Sequence, residues 1–429
     1  MKILLITRTA LKSETSTGNT VNYLFSWAKK EDLSNVYFRT EMPNMDFCSS
    51  YYCIPETELI RYFFKRKNVG FNFVFDSSKD LSVEEEKEKQ MYNRFKRKRL
   101  FVSLWAREVL WSLTAKKWKK GLIEYIKQVK PDCVYMPIYD CFYMHKILAI
   151  IKKAFNIKIV LYSGDDFFSF NRYRLSPFYY INQLFLRKHI SRSCKSASSV
   201  LCFSEKETEI LRKSFGEKVK QINKGFPKSK DARYSFSLPN KGRFFEMLYV
   251  GNINYGRINT LLLLASTIKS IDTLRNHFHI TFYTQNQLSR KQLDSINKND
   301  CITFGGNLSR DKFSETVAAS DILLNIESFK KKDIERVKSS FSTKIVDYLF
   351  SSKCILSVGP IEDNSIGFLA KREACLTAVN PSLITKVLAS IIGNATLLNE
   401  VSKRAFELGK KEFDFEKCSL AIKKAIIDF

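Results

Sequence analysis

The 429-residue sequence predicts an α/β protein of two Rossmann-like, doubly wound domains facing a central cleft. Three observations carry this expectation. The length exceeds what one hydrophobic core comfortably serves and favours two domains of about 200 residues. Short continuous apolar runs alternate with helical patterns, which is how parallel strands covered on both faces read in a sequence. The alternation breaks in a polar, turn-rich stretch, PKSKDARYSFSLPNKGR at 227–243, and then restarts.

The first domain is expected over residues 1–235. A strand in KILLITRT leads through the polar, glycine-bearing loop STGNT into a helix beginning near Asn19. An enlarged insertion follows at about 45–120. The alternation resumes with DCVYMPI and a helix from about Cys141, then IKIVLYS and the loop GDDFFSF, then SVLCFSE, the helix KETEILRKSFG and the short strand VKQINKG. The second domain, 242–405, opens with FEMLYVGNI and a helix from about Arg257. After it come HITFYT, CITFGG, a helix from Ser309 to Ser320, DILLNI, a helix from Thr343 to Ser351, CILSVGP, the helix SIGFLAKR and CLTAV. The amphipathic tail KKEFDFEKCSLAIKKAIIDF gives a C-terminal helix within 406–429 that packs back on the first domain.

Composition excludes several classes. A 45% hydrophobic and 27% charged content is that of a globular protein, so disorder is not expected. The apolar start MKILLITRTALKS is too short for a signal peptide core, and no run approaches about 18 uncharged apolar residues. A soluble, cytoplasmic protein is expected. The ten cysteines include no C-x-x-C pair and several sit in apolar runs, which reads as reduced, buried thiols. His277 and His279 alternate along one strand and read as strand-face residues, so no metal site is expected.

The net charge of +27 admits nucleic acid, an anionic membrane surface or phosphorylated substrates as partners. Between Arg94 and Lys130 twelve Lys or Arg stand against two Glu, interleaved with Trp105, Trp111 and Trp118. Basic helices with interfacial tryptophans suit peripheral contact with the inner face of the cell membrane. The same pattern also reads as a core helix with inward tryptophans and solvated lysines.

Four stretches of the second domain lie where strands hand over to loops or helices, at the expected cleft. In YVGNINYGRINTL, Gly251 lets backbone approach a ligand, Asn252 offers an amide, and Arg257 enters a helix. In FGGNLSRDKF, Gly306 and Asn307 precede a helix. The third, NIESFKKKDIERVKSS, contains Glu327 and is long and polar enough for a mobile loop. The fourth is the start of the helix in SSFSTKIVDYLFSSK. Ser342 and Thr343 open it, Lys344 would neutralise phosphate beside its free amides, and Asp347 one turn later could accept hydrogen bonds from a sugar diol. Together they describe a nucleotide diphosphate site. On the first domain, Asp165 and Asp166 in YSGDDFF are candidates to orient or deprotonate an acceptor hydroxyl, or else to cap the following segment. Gly18 and Asn19 either approach the donor or acceptor at the first loop or merely start the helix.

These motifs, in this order, resemble those of the GT-B glycosyltransferases, especially glycosyltransferase family 4 and its polysaccharide-assembly relatives. The resemblance covers nearly the whole chain, with TSTGNTVNYLFSWA, VKPDCVYMP and IVLYSGDDFF in the first half. It implies that Gly251 and Arg257 hold the donor diphosphate, with Asn252 where a basic residue is often found. It also implies a pair of glutamates separated by seven residues. Glu327 and Glu335 have that spacing, but Asp347, shortly before a small residue and a buried strand, matches the ribose-binding member better. Ser352 stands where glycine is common and Cys354 where proline is common. The resemblance implies transfer of a sugar from a nucleotide diphosphate sugar to a hydroxyl of a glycan or lipid-linked glycan, with retention at the anomeric carbon. Neither a metal nor a cofactor is required. A nucleotide-sugar epimerase of the same architecture, or a basic nucleic-acid-binding protein, remains as an alternative reading.

Overall fold

The computed structural model describes residues 1–13, 15–76, 101–170, 176–226, 233–237, 244–337, 341–394 and 396–427. The chain divides into two compact units, Met1–Ile222 with Ser419–Phe429, and Asn223–Cys418. The division after Ile222 falls ahead of the expected limit at 235.

The first unit is built on β1 Ile3–Ile6, β2 Leu33–Tyr37, β3 Ser50–Cys53, β4 Phe71–Phe73, β5 Cys133–Pro137, β6 Lys158–Ser163, β7 Ser199–Cys202 and β8 Val219–Gln221. They form one sheet in the order β4-β3-β2-β1-β5-β6-β7-β8, parallel throughout except for the antiparallel pair β3-β4. The strand β1 is buried on both sides. Leu4 and Ile6 join a core that includes Val36 and Trp111, while Ile3 and Leu5 join the opposite core with Val21 and Leu24. This two-sided burial is why the strand reads as a continuous apolar run rather than an alternating one.

The strands β2, β3 and β4 were not expected; β3 and β4 fall within the stretch read as an insertion. They are short and carry polar residues, so their apolar signal is weak. In β2 the buried Asn35 is accommodated because its Nδ2 donates to Leu5 O and Thr7 Oγ1, both at 3.0 Å. The first helix starts at Ser16, earlier than Asn19, because the Thr15 hydroxyl accepts from Gly18 N at 3.1 Å and caps it. Trp111 and Trp118 are buried in the first core and Trp105 packs against it, so these tryptophans face inward. Of the basic stretch, residues 94–100 lie outside the described residues. All ten cysteines of the chain are buried.

The second unit carries β9 Phe245–Val250, β10 Phe278–Tyr283, β11 Ile302–Phe304, β12 Ile322–Ile326, β13 Cys354–Val358 and β14 Leu376–Ala378 in one all-parallel sheet, ordered β11-β10-β9-β12-β13-β14. Met247 and Tyr249 point into one core and Leu248 into the other. The stretch NIESFKKKDIERVKSS, expected as a loop, contains the helix Lys331–Val337. Its Asp333 is buried and accepts from Ser328 Oγ at 3.1 Å, which anchors the turn that starts it. The last helix, Phe415–Ile427, belongs to both units: its second half places Ile422, Ala425 and Ile426 in the core around Ile3 and Leu5.

Candidate active site

Strand order in an open parallel sheet fixes where a ligand crevice opens, outside the carboxyl ends of strands whose crossovers run in opposite directions. In the second unit those strands are β9 and β12. The residues that follow them are Gly251 and Glu327, and both lie in one cluster of charged side chains.

The cluster is assembled from four segments. Gly251 has φ 151°, and a Cβ added there would lie 3.1 Å from Lys344 Nζ. The ammonium of Lys344 reaches back from the helix Lys344–Leu349 to donate to Val250 O at 3.4 Å, and it sits 4.2 Å from the centroid of the Tyr249 ring. Arg257, first residue of the helix Arg257–Lys269, holds Glu327 in a two-pronged ion pair, with Nε to Oε2 at 2.9 Å and Nη2 to Oε1 at 2.8 Å. Asp363 completes it by capping the helix Asn364–Lys371, accepting from Ser365 N and Ile366 N at 2.9 and 3.1 Å.

Burial is the largest influence on Lys344 and, with Arg257 nearby, pushes its pKa down to about 8 against the opposing pull of Glu327 and Asp363. Among the described residues Lys344 makes no ion pair. Burial, and next the charge of Glu327, push the Asp363 carboxyl up, toward its neutral form. Two cations, Arg257 and Lys344, thus stand beside Glu327 and a carboxyl of Asp363 that burial biases toward its neutral form. A half-buried ammonium of this kind favours an anion brought against it.

The remaining sequence candidates of this unit are placed as follows. Asn252 accepts at its carbonyl from the Tyr249 hydroxyl at 2.7 Å, and from Arg257 Nη1 at 3.5 Å. Gly306 has φ 81° and open space around it, and Asn307 is exposed in the loop before the helix Arg310–Ala319. Ser342 donates its N–H to Ser365 Oγ at 3.0 Å, tying the Lys344 segment to the helix that Asp363 caps. Thr343 is exposed, in helical backbone conformation, with no side-chain capping bond.

The helix itself is shorter than the Thr343–Ser351 expected, because the Ser351 hydroxyl turns back to Tyr348 O at 2.6 Å and Ser352 adopts φ 58°. Six residues give a weak macrodipole, so Lys344 and Arg257 supply most of the positive charge here. Asp347 is half-buried one turn beyond Lys344. Glu335 lies on Lys331–Val337.

In the first unit, Asp165 and Asp166 follow β6. The Asp166 Oδ1 accepts from Phe168 N and Ser169 N at 3.1 and 2.8 Å and so holds the turn. Both aspartates act on a carboxyl that sequence reasoning missed: Glu207 is buried, accepts from the Ser163 hydroxyl, and has its pKa raised to about 8, by burial first and then by Asp166 and Asp165. The S-x-x-E spacing of Ser204 and Glu207 was its available signal, and Ser204 does accept from Glu207 N at 3.3 Å. Gly18 lies within the first helix, where a Cβ would overlap the carbonyl of Lys12, and Asn19 is half-buried beside it. Also missed was the switch point of the first sheet, between β1 and β5, where Arg8 Nη1 donates to Asp140 Oδ1 at 3.1 Å and Arg8 N to the Tyr139 hydroxyl at 3.0 Å. Among the described residues, no group of three or more His, Cys, Asp or Glu is arranged to hold a metal ion.

Neither a protein-family model nor a curated protein matches the chain. Solved structures match it over its whole length. HepE of Anabaena, in complex with UDP and glucose, gives a TM-score of 0.60 at 12% identity, with 100% of both chains covered. Sucrose-phosphate synthase from Thermosynechococcus elongatus gives 0.60 at 13%, covering 99% of this chain and 97% of its own. WaaG, a glycosyltransferase involved in lipopolysaccharide biosynthesis, gives 0.57 at 12%, with 100% of both chains covered. The structural neighbours are GT-B glycosyltransferases, and the two Rossmann-like domains of this chain have the GT-B fold.

Proposed function

We propose that the protein transfers a sugar from a nucleotide diphosphate sugar to a hydroxyl of a glycan or lipid-linked glycan in surface polysaccharide assembly. The observation that carries this is the Gly251–Lys344–Arg257 cluster at the switch point of the second sheet. It sets an ammonium that makes no ion pair among the described residues beside a glycine whose missing side chain lets backbone approach a diphosphate. HepE was solved with UDP, and the same donor chemistry fits this cluster.

In this reading the diphosphate leaves with growing negative charge, which Lys344 and Arg257 stabilise. Glu327 positions Arg257 rather than touching the phosphate. Asp347 accepts from the ribose hydroxyls. Asp165 or Asp166 orients or deprotonates the acceptor hydroxyl. Transfer proceeds with retention, without a metal, in the cytoplasm.

The test is a donor screen by thermal shift and nucleotide release. At least one nucleotide sugar should raise the unfolding temperature. Lys344→Ala and Asp347→Ala should each weaken that donor by roughly tenfold or more while remaining folded, the loss expected for a charge-assisted bond. Unchanged donor affinity in both variants would remove the donor site from this cluster. Chelation of divalent ions should leave turnover intact.

A further inference from the structure

We propose that the outward stripe of the helix Pro177–Ser196, with exposed side chains of the neighbouring helix Phe101–Leu113, docks the protein on an anionic lipid bilayer. Residues 178, 181, 185, 188, 192 and 195 recur at intervals of three and four and therefore share one face. The opposite stripe, with Leu186, Ile190 and Cys194, is buried in the first core.

A surface helix anchored in this way usually turns polar side chains to water. Here the first half of the outward stripe is apolar: Phe178 is 66% exposed, Ile181 45%, Leu184 58% and Phe185 46%. The second half is cationic, with Arg187, Lys188, Arg192 and Lys195, and the helix contains no Asp or Glu. Leu184, Ser191 and these four cations line a shallow groove of about 420 Å³. Trp105 meets Phe185 edge-on with ring centroids 5.6 Å apart, which sets the second helix alongside. That helix adds Val109 and Leu113, at 51 and 65% exposure.

Exposed apolar residues scattered singly need no explanation, but a contiguous row joined to a row of cations does. Nucleic acid would satisfy the cations and leave Ile181 and Leu184 unused, because aliphatic side chains offer no ring on which bases stack. An anionic leaflet satisfies both halves: the apolar end enters the headgroup boundary and the cationic end lies over the headgroups. The net charge of +27 adds long-range attraction to such a surface. The sequence offered residues 94–130, basic and tryptophan-bearing, as a membrane contact or as a core helix; the surface proposed here is centred instead on a helix that carries no tryptophan.

Flotation of the full-length chain with vesicles containing about 30% phosphatidylglycerol, against pure phosphatidylcholine, tests the surface. Binding to the anionic vesicles should be at least about tenfold stronger, and the combined Lys188→Glu, Arg192→Glu and Lys195→Glu substitutions should reduce it by about tenfold or more. The pair Phe178→Ser and Leu184→Ser should retain binding at low salt and lose the part that survives raised salt. All these positions are exposed, so both variants should unfold at the parent temperature and keep the donor-induced thermal shift. Equal binding to neutral vesicles, or a charge-reversed variant that floats like the parent, overturns the proposal. So does retention of single-stranded RNA without vesicle binding. None of these outcomes bears on the donor site, which the Lys344 and Asp347 variants test separately.

Discussion

Lys344 carries its charge where burial and Arg257 both disfavour it, and this has a measurable result. In the free protein its pKa is pushed down to about 8. A diphosphate placed against the ammonium favours the charged form, so its pKa rises on binding and protons are taken up above pH 8. Donor affinity should therefore be highest below pH 8 and fall as the pH rises through and beyond it, by at most about tenfold per unit. Calorimetric titration of a nucleotide sugar from about pH 7 to about pH 9 checks this, and Lys344→Met should flatten the profile. An affinity in the parent that ignores pH over that range would separate Lys344 from the phosphate. At this scale the sequence was informative about cations beside a glycine, because Gly251, Arg257 and Lys344 announce themselves by type. It was silent on their partners. The Arg257–Glu327 pair joins residues 70 positions apart, and Asp363 acts through a tertiary approach that no local pattern records.

Among the elements, the site depends on how closely the turn after β9 meets the Lys344–Leu349 helix. Gly251→Ala would put a methyl 3.1 Å from the ammonium in a backbone conformation that side chains rarely adopt. The expected cost is on the order of 1–3 kcal/mol of stability, together with a loss of donor affinity. Gly216→Ala, at φ 76° with nothing nearby, should show the backbone cost without the loss of affinity. Denaturant unfolding and donor titration of the two variants distinguish these effects. The elements that sequence reasoning placed well are those whose signal is a continuous apolar run, such as Ile322–Ile326 and Cys354–Val358. Those it missed are short or polar. Lys331–Val337 was read as a loop because Lys331, Lys332, Glu335 and Arg336 mask the short helix anchored by Asp333. Ser352 explains one departure from the GT-B pattern: its φ of 58° is the conformation for which glycine is commonly used, and its hydroxyl accepts from Ser235 N at 3.0 Å.

For the whole molecule, two doubly wound sheets were legible because each β-to-helix alternation repeats the same physical requirement, a strand buried on both faces. The extent of the first sheet was not, since Ser34, Asn35 and Ser50 dilute the strands at its far edge. The last helix is shared by the two units, and Ile422 and Ile426 are fully buried near β1. Ile426→Ala should destabilise the first unit by about 2–5 kcal/mol, read as a lower denaturant midpoint, with donor binding to the second unit retained once the protein is folded. The same helix has a consequence for synthesis. Residues 223–418 separate most of the first unit from its final segment. At a ribosomal pace of about 5–20 residues per second, the core around Ile3 and Leu5 must wait roughly ten to forty seconds for its last side chains. During that interval the apolar groove that Ile422, Ala425 and Ile426 later fill is left open to water, the kind of exposed surface that makes a partly synthesised domain prone to aggregation.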